Sequence, residues 1–125
     1  MPESEGDTSG SEGERYPFEI VDVDVVREQR RVLEGMFTAE CPYGHDQPDR
    51  YSITATYRSQ GEAIETDSFR AWLESFEDRE ISAEELASEI YGELRECFGW
   101  SNAEVTLYQQ SEAQVTLTIE MGSCV

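Results

Sequence analysis

The sequence predicts one α+β domain in which two helices cover one face of an antiparallel sheet. Hydrophobic and polar residues alternate in several short segments, which is typical of half-buried strands. In the middle of the chain the hydrophobic spacing changes to three and four residues, which is typical of amphipathic helices. Because strand segments lie on both sides of the helical region, we predict the order strands, two helices, strands in a layered architecture.

The strands are predicted from the alternation of valine, isoleucine, leucine or tyrosine with polar side chains. At the start of the domain, for example, valines alternate with aspartates. A strand of this kind buries one face and leaves the other face in water. The predicted strands are residues 18–26, 32–39, 51–57, 105–107 and 115–121.

Two helices are predicted between the third and fourth of these strands. The hydrophobic residues of 69–76 lie on one helical face, and Asp67 or Ser68 is expected to cap that helix. Residues 82–98 predict a longer helix that opens with a serine–glutamate capping box. Gly99 stands where helices commonly end.

The composition is strongly acidic. The 125 residues contain 28 Asp and Glu against 9 Lys and Arg, so the formal net charge is −19, and every basic residue is arginine. This composition predicts a protein adapted to high salt, from a haloarchaeon-like source. At about 1 M salt the Debye length falls to about 3 Å, which screens the repulsion among carboxylates.

We expect residues 1–15 to be a disordered acidic tail and residues 16–125 to be a single domain. The tail has almost no hydrophobic side chains, so it cannot bury enough surface to offset the entropy lost on ordering. It lacks the hydrophobic core of a signal peptide, and no run of the chain is long enough to span a membrane. The sequence therefore predicts a soluble, cytoplasmic protein.

The cysteines predict neither a disulfide framework nor a metal site. Cys41, Cys97 and Cys124 are far apart in the chain, and His45 is its only histidine. Zinc sites usually need cysteine and histidine ligands at short spacings. We therefore expect no bound metal.

The segment 41–49 (CPYGHDQPD) carries the clearest chemical pattern. Cys41 follows a predicted strand, and Asp49 ends a turn rich in proline, glycine and aspartate. A thiol nucleophile beside a proton carrier on a rigid strand end is an arrangement used in covalent catalysis. His45 lies in the same turn and is either an auxiliary group that favours the thiolate of Cys41 or an exposed loop residue.

Structural explanations compete with these functional ones. Cys41 can be a small buried residue at a strand end, and Asp49 can be a turn residue that follows Pro48. Glu84 lies in the first turn of a predicted helix, where any acidic residue is favourable.

Residues 37–76 resemble the QueF family, which comprises the 7-cyano-7-deazaguanine nitrile reductases and their archaeal amidinotransferase relatives. The resemblance lies in FTAECP at 37–42, QPD at 47–49, the strand 51–57 and ETDSFR at 65–70. It implies the tunnelling fold, in which ββααββ modules assemble side by side into a barrel. It also implies a homo-oligomer with active sites at subunit interfaces.

The resemblance also implies roles for individual residues. Cys41 matches the cysteine that attacks the nitrile carbon to form a thioimide, and Asp49 matches the aspartate that shuttles protons. Glu84 matches the glutamate that holds the purine-like ring, since a carboxylate accepts two hydrogen bonds from a guanine edge. Glu65 matches the glutamate of the cofactor motif, and we group it with Glu84 as a substrate-binding residue. The turn after Cys41 is one residue longer than usual, so Asp46 competes for the acid role.

Three departures from the family pattern bear on the second reactant. Asp67 stands where the reductases have a lysine, and residues 111–114 lack their arginine–glycine–glycine stretch. Since NADPH phosphates need positive charge, the sequence favours an amidinotransferase that uses ammonia and no cofactor. Ala83 replaces a histidine before the binding glutamate.

The alternatives are an NADPH-dependent reductase and a catalytically degenerate module that binds a purine or pterin. The expected substrate is 7-cyano-7-deazaguanine, either free or within tRNA.

Overall fold

The computed structural model describes residues 16–44, 47–110 and 115–122. Within them, four strands form one sheet, two short strands form a separate ribbon, and two helices follow one another between the strands. The tail predicted for residues 1–15 lies outside the described residues. In chain order the elements are β1 (Ile20–Asp22), β2 (Gln29–Ala39), β3 (Asp49–Ser59), β4 (Glu62–Ile64), α1 (Thr66–Glu74), α2 (Ala83–Phe98), a 3₁₀ turn (Trp100–Asn102), β5 (Ala103–Gln110) and β6 (Thr116–Gly122).

The four-stranded sheet has the order β2-β3-β5-β6, and each neighbouring pair is antiparallel. β2 and β3 pair along their whole length, so that Gln29 lies opposite Ser59 and Ala39 lies opposite Asp49. The two helices come between β3 and β5 in the chain. The sheet and helices therefore have the order ββααββ, which confirms the predicted α+β fold class.

The strand predicted at residues 18–26 is shorter than expected and lies outside this sheet. It forms only β1, which pairs with the unpredicted β4 so that Ile20 lies opposite Ile64. The alternation of hydrophobic and polar residues indicates that one side of a segment is buried, but it does not identify the partner strand. Phe18 is buried just before β1, and its ring centroid lies 5.4 Å from that of Trp72. The ribbon is thereby anchored to α1.

The start of α1 corrects a prediction. The helix is capped by Glu65 and not by Asp67 or Ser68, because the Glu65 carboxylate accepts hydrogen bonds from both of their backbone N–H groups. These are donors of the first turn that have no partner within the helix. The hydrogen bonds from Asp67 and Ser68 lower the pKa of the Glu65 carboxyl below its usual range.

The ends of α2 confirm the sequence prediction. The Ser82 hydroxyl accepts a hydrogen bond from the Glu85 N–H, and the Glu85 carboxylate accepts one from the Ser82 N–H. Gly99 follows the last turn with a φ of 96°, a conformation that favours glycine. The buried face of α2 consists of Ala83, Leu86, Ala87, Ile90 and Leu94.

The hydrophobic core lies between the helices and one face of the sheet. Along β3, Tyr51, Ile53, Ala55 and Tyr57 all point into it and are at most 2% exposed. No helix within the described ranges covers the opposite face of the sheet, which exposes Met36; this face is called the helix-free face below. Neither helix in the described part of the chain is long and apolar enough to cross a membrane.

We predict that Ser82→Ala lowers the free energy of unfolding by about 1 kcal/mol, because the Ser82 hydroxyl no longer accepts from the Glu85 N–H or donates to the Glu85 carboxylate. For a domain of this size the melting temperature should fall by roughly 4–8 °C. Chemical and thermal unfolding followed by circular dichroism measure both quantities. Ser88→Ala, at an exposed position inside the same helix, is the control and should not destabilise the protein. Equal effects of the two substitutions would contradict the prediction.

Candidate active site

The chain segment before Cys41 is tied to the loop before α2. The Glu40 N–H donates to the Arg79 carbonyl (2.9 Å), and the Ile81 N–H donates to the Glu40 carbonyl (3.2 Å). These bonds form an isolated parallel bridge between Glu40 and Glu80. The bridge brings Cys41 to the side of the sheet on which α2 begins.

The Cys41 side chain is buried and held in position. It is 7% exposed, and its Sγ accepts a hydrogen bond from the Tyr43 N–H at 3.3 Å. The Gly44 N–H donates to the Cys41 carbonyl across the turn that follows (3.5 Å). A nucleophile fixed in this way attacks without first losing conformational freedom.

Asp49 is a buried carboxylate at the start of β3. It is 7% exposed and lies opposite Ala39, two residues before Cys41. Among the described residues no hydrogen-bond donor or cation contacts its side chain. Aspartate is rarely buried without a partner. The arrangement therefore suits a group that exchanges protons with a ligand.

Tyr51 joins this group, although sequence reasoning assigned it only to a strand. It is 2% exposed, stacks on Phe37 with ring centroids 5.4 Å apart, and its hydroxyl accepts a hydrogen bond from Gln109 Nε2 at 3.4 Å. The available signal was the period of two along β3, which places Asp49 and Tyr51 on the same face.

Three predicted residues act on the charge of Tyr51. Burial raises the pKa of its hydroxyl most, and the charges of Asp49, Cys41 and Glu84 raise it further. Glu84 lies in the first turn of α2 and is exposed. Cys41, Asp49 and Glu84 therefore lie within electrostatic range of one buried tyrosine.

A cleft of about 390 Å³ opens on the other side of Cys41. Four acidic residues line it, and no arginine does so in the described part of the chain. Phosphate groups need cationic or N–H donors, so this cleft does not fit the phosphates of NADPH. The lining was not predicted, because its residues come from separate segments. They are Thr38, Glu40, Cys41, Gly44, Gln47, Pro48, Glu77, Asp78 and Glu80.

The remaining predicted residues are placed as follows. Glu65 caps α1 and does not line the cleft beside Cys41, so its role in substrate binding stays a prediction. His45 and Asp46 lie outside the described residues. No group of three or more histidine, cysteine, aspartate or glutamate residues that can hold a metal occurs in the described ranges.

Comparisons with known proteins identify relatives of one kind. Proteins from Thermotoga petrophila and Thermotoga maritima are each 28% identical to this chain over 127 residues, which is 98% of this chain and 93% of theirs. A protein from Frankia casuarinae is 32% identical over 93 residues, which is 74% of this chain and 67% of its own length. All three bear the name NADPH-dependent 7-cyano-7-deazaguanine reductase. No family model matches the chain.

A solved structure is also similar. The archaeosine synthase QueF-Like in its apo form superposes with a TM-score of 0.64 at 21% sequence identity. The match covers 77% of this chain and 96% of that one. This likeness confirms the predicted tunnelling fold.

The surroundings of Tyr51 predict how stability depends on pH. Its pKa in the folded state lies above the usual value of 10.0, so above that pH the unfolded chain loses a proton that the folded chain keeps. Stability is then lost as the pH rises, by up to about 1.4 kcal/mol per pH unit for each such group. Burial also raises the pKa of Tyr57. A variant that lacks the Tyr51 hydroxyl should therefore still lose some stability above pH 10.0.

We therefore expect the free energy of unfolding of Tyr51→Phe to fall less steeply above pH 10.0 than that of the wild type. Denaturant titrations at several pH values measure the two slopes. Tyr108→Phe, at a partly exposed position on β5, is the control and should retain the wild-type slope. Identical slopes for Tyr51→Phe and the wild type would show that folding does not raise the pKa of the Tyr51 hydroxyl.

Proposed function

This chain belongs to the QueF family, and from that membership we propose that it acts on the nitrile of 7-cyano-7-deazaguanine through a thioimide on Cys41. The observation that supports this most is the occurrence near Tyr51 of a buried thiol, a buried carboxylate with no donor or cation against it among the described residues, and an exposed helix carboxylate. The first two suit bond formation and proton transfer. The third suits recognition of a guanine edge.

The first step adds Cys41 to the nitrile. The Cys41 thiol gives its proton to the Asp49 carboxylate, the electron pair left on sulfur forms the S–C bond, and one π bond of C≡N breaks. The resulting nitrogen anion then takes that same proton from Asp49. The product is a thioimide, R–C(=NH)–S–Cys41. The pairing of Asp49 with Ala39, two residues before Cys41, supports Asp49 as the proton carrier.

Glu84 holds the heterocycle in this proposal. Its carboxylate is exposed at the start of α2, where it can accept two hydrogen bonds from the ring N–H and the exocyclic amine of a guanine-like base. Tyr51 stays neutral at physiological pH, because burial and the neighbouring negative charges raise its pKa. It therefore adds no further negative charge beside the thiolate.

We propose ammonia as the second reactant. Four acidic residues beside Cys41 repel an anionic cofactor and attract ammonium, the protonated form of ammonia. Ammonia adds to the thioimide carbon, a proton moves from the attacking nitrogen, and the S–C bond breaks to return the thiolate. The net reaction is R–C≡N + NH₃ → R–C(=NH)NH₂, an amidine.

Reduction by NADPH is the second candidate, because the similar proteins from Thermotoga and Frankia bear the name of NADPH-dependent reductases. Against it, Asp67 stands where the resemblance places a lysine of the cofactor motif.

We also propose that the protein assembles as a homo-oligomer. The four-stranded sheet ends in the edge strands β2 and β6. An edge strand offers backbone N–H and C=O groups that can pair with those of a neighbouring copy, which suits the side-by-side assembly that the resemblance implies.

Intact-mass spectrometry after incubation with 7-cyano-7-deazaguanine tests the first step. We expect an adduct with the mass of the nitrile in the wild type and none in Cys41→Ala, because the thioimide needs the Cys41 sulfur. Asp49→Asn should form the adduct at least about 100-fold more slowly, since it removes the proton donor. Cys97→Ala, at a partly buried position on α2, is the control and should form the adduct normally. An adduct in Cys41→Ala, or none in the wild type, would refute the proposal.

The second reactant is tested by supplying ammonium and NADPH separately to the preformed adduct. We expect ammonium to release an amidine product and to restore the mass of the free protein, with no oxidation of NADPH. Product mass and NADPH absorbance are the two measurements. NADPH oxidation coupled to release of an amine would favour the reductase instead. An adduct that persists with both reactants would indicate a module that binds without turnover.

A further inference from the structure

Two arginines face each other at the end of the sheet that lies away from Cys41. Arg30 on β2 and Arg58 on β3 are partners in the strand register. Both side chains are exposed on the helix-free face. Like charges directly opposite one another on neighbouring strands destabilise a sheet. The pair therefore does not serve the stability of the fold, and a binding role accounts for it better.

Among the described residues, neither arginine lies within 4.0 Å of a carboxylate, whereas Arg70, Arg79 and Arg95 each do. Arg27, Arg31 and Arg50 also lack such a partner there, so this property alone is not distinctive. What distinguishes Arg30 and Arg58 is that they are register partners on neighbouring strands. Two adjacent guanidinium groups without protein carboxylates favour an anion from outside the chain.

The arginines open onto a cleft of about 180 Å³. The 3₁₀ turn after α2 contributes hydroxyl and amide groups to it, and Thr56 forms part of the floor and is 8% exposed. Glu104 is the one acidic residue of the described lining, so the two guanidinium groups leave an excess of positive charge. The lining residues are Arg30, Thr56, Arg58, Ser101, Asn102, Ala103 and Glu104.

An exposed aromatic residue adjoins this cleft. Trp100 is 68% exposed and opens the 3₁₀ turn that supplies Ser101 and Asn102. The turn is held by hydrogen bonds from the Asn102 amide to the Phe98 carbonyl and from the Tyr91 hydroxyl to the Trp100 carbonyl. Indole rings beside arginines are a recurring means of binding nucleotides, because the ring stacks on a base while the arginines hold phosphate.

We propose that this cleft binds a nucleotide phosphate between Arg30 and Arg58, with Trp100 available to stack on the adjoining base. Arg30 lies nine residues before Ala39 on β2, which corresponds to about 30 Å along the strand from the Cys41 end. A nucleotide bound here cannot itself react at Cys41 of the same chain. An RNA chain can span that distance, whereas a free nucleotide would be a separate ligand. The link to an RNA substrate rests on the proposed function, but the phosphate site does not.

The test compares the double variant Arg30→Gln/Arg58→Gln with the wild type. Fluorescence anisotropy with a labelled, unmodified tRNA transcript is recorded over a series of salt concentrations. We expect the double variant to bind about tenfold more weakly and the slope of log K against log salt to fall by about 2, one for each phosphate contact. Arg70→Gln, which removes a cation from an exposed pair with Asp67, is the control and should bind as the wild type does.

Adenosine monophosphate identifies the source of the phosphate. If it binds the wild type but not the double variant, and RNA does not bind, the site holds a free nucleotide. If RNA binding alone depends on the two arginines, the site holds an RNA phosphate. Wild-type affinity of the double variant for both probes, or no binding of either probe to the wild type, would overturn the proposal.

Two further measurements separate this inference from other effects. The melting temperature of the double variant should not fall, because a like-charge pair has been removed; this excludes unfolding as the cause of weaker binding. Adduct formation at Cys41 with the free base should stay at the wild-type rate. Loss of RNA binding in a protein that never forms the adduct would leave the phosphate site standing and refute only the proposed function.

Discussion

The register of β2 against β3 is the constraint on which both ends of the molecule depend. Eleven consecutive residue pairs fix it, from Gln29 with Ser59 to Ala39 with Asp49. A slip by one residue would turn every side chain of a strand to the opposite face. The same register that places Asp49 beside the end of β2 also sets Arg30 opposite Arg58. One pairing thus determines a buried catalytic candidate at one end of the strands and a positive cleft at the other.

The two ends of these strands carry opposite charge. Carboxylates of Glu40, Glu77, Asp78 and Glu80 line the cleft beside Cys41. At the far end, Arg30 and Arg58 have no carboxylate partner among the described residues. A net charge of −19 alone would favour a small neutral substrate over a nucleic acid. The position of the arginines shows that local charge differs from the overall charge. Adaptation to high salt remains a prediction from composition.

Much of the fold was predictable because its signals are local. The capping box at Ser82 and the stop at Gly99 depend on residues close in sequence, and both were identified correctly. The predicted cap of α1 was wrong, since Glu65 uses its longer side chain to reach N–H groups that shorter residues usually bind. The pairing of β1 with β4 was missed for a different reason: β4 has only three residues, too few alternating positions to give a pattern.

The candidate site was predictable only in part. Cys41 and Asp49 were found because they lie in one short motif, and Glu84 because of a family resemblance. Tyr51 was overlooked, since a tyrosine in an alternating strand looks like an ordinary core residue until its charged neighbours are known. The acidic lining of the cleft comes from β2, its following turn and the loop before α2. No sequence pattern joins segments that meet only in the folded chain.

The bridge between Glu40 and Glu80 fixes the backbone of the loop before α2, so that exposed side chains of this loop can change without moving Cys41. The loop before α2 is secured by its backbone bonds to Glu40 and by Arg79, whose guanidinium binds Glu89 through two hydrogen bonds. Glu77 and Asp78 immediately precede Arg79 in the chain, and their side chains are exposed. They form one wall of the cleft and contribute nothing to the sheet. Under the proposed function, substitutions at these two positions would change the charge of the cleft that receives the second reactant and would leave the nucleophile in place. The loop is therefore a suitable target for selecting variants that use a different second reactant.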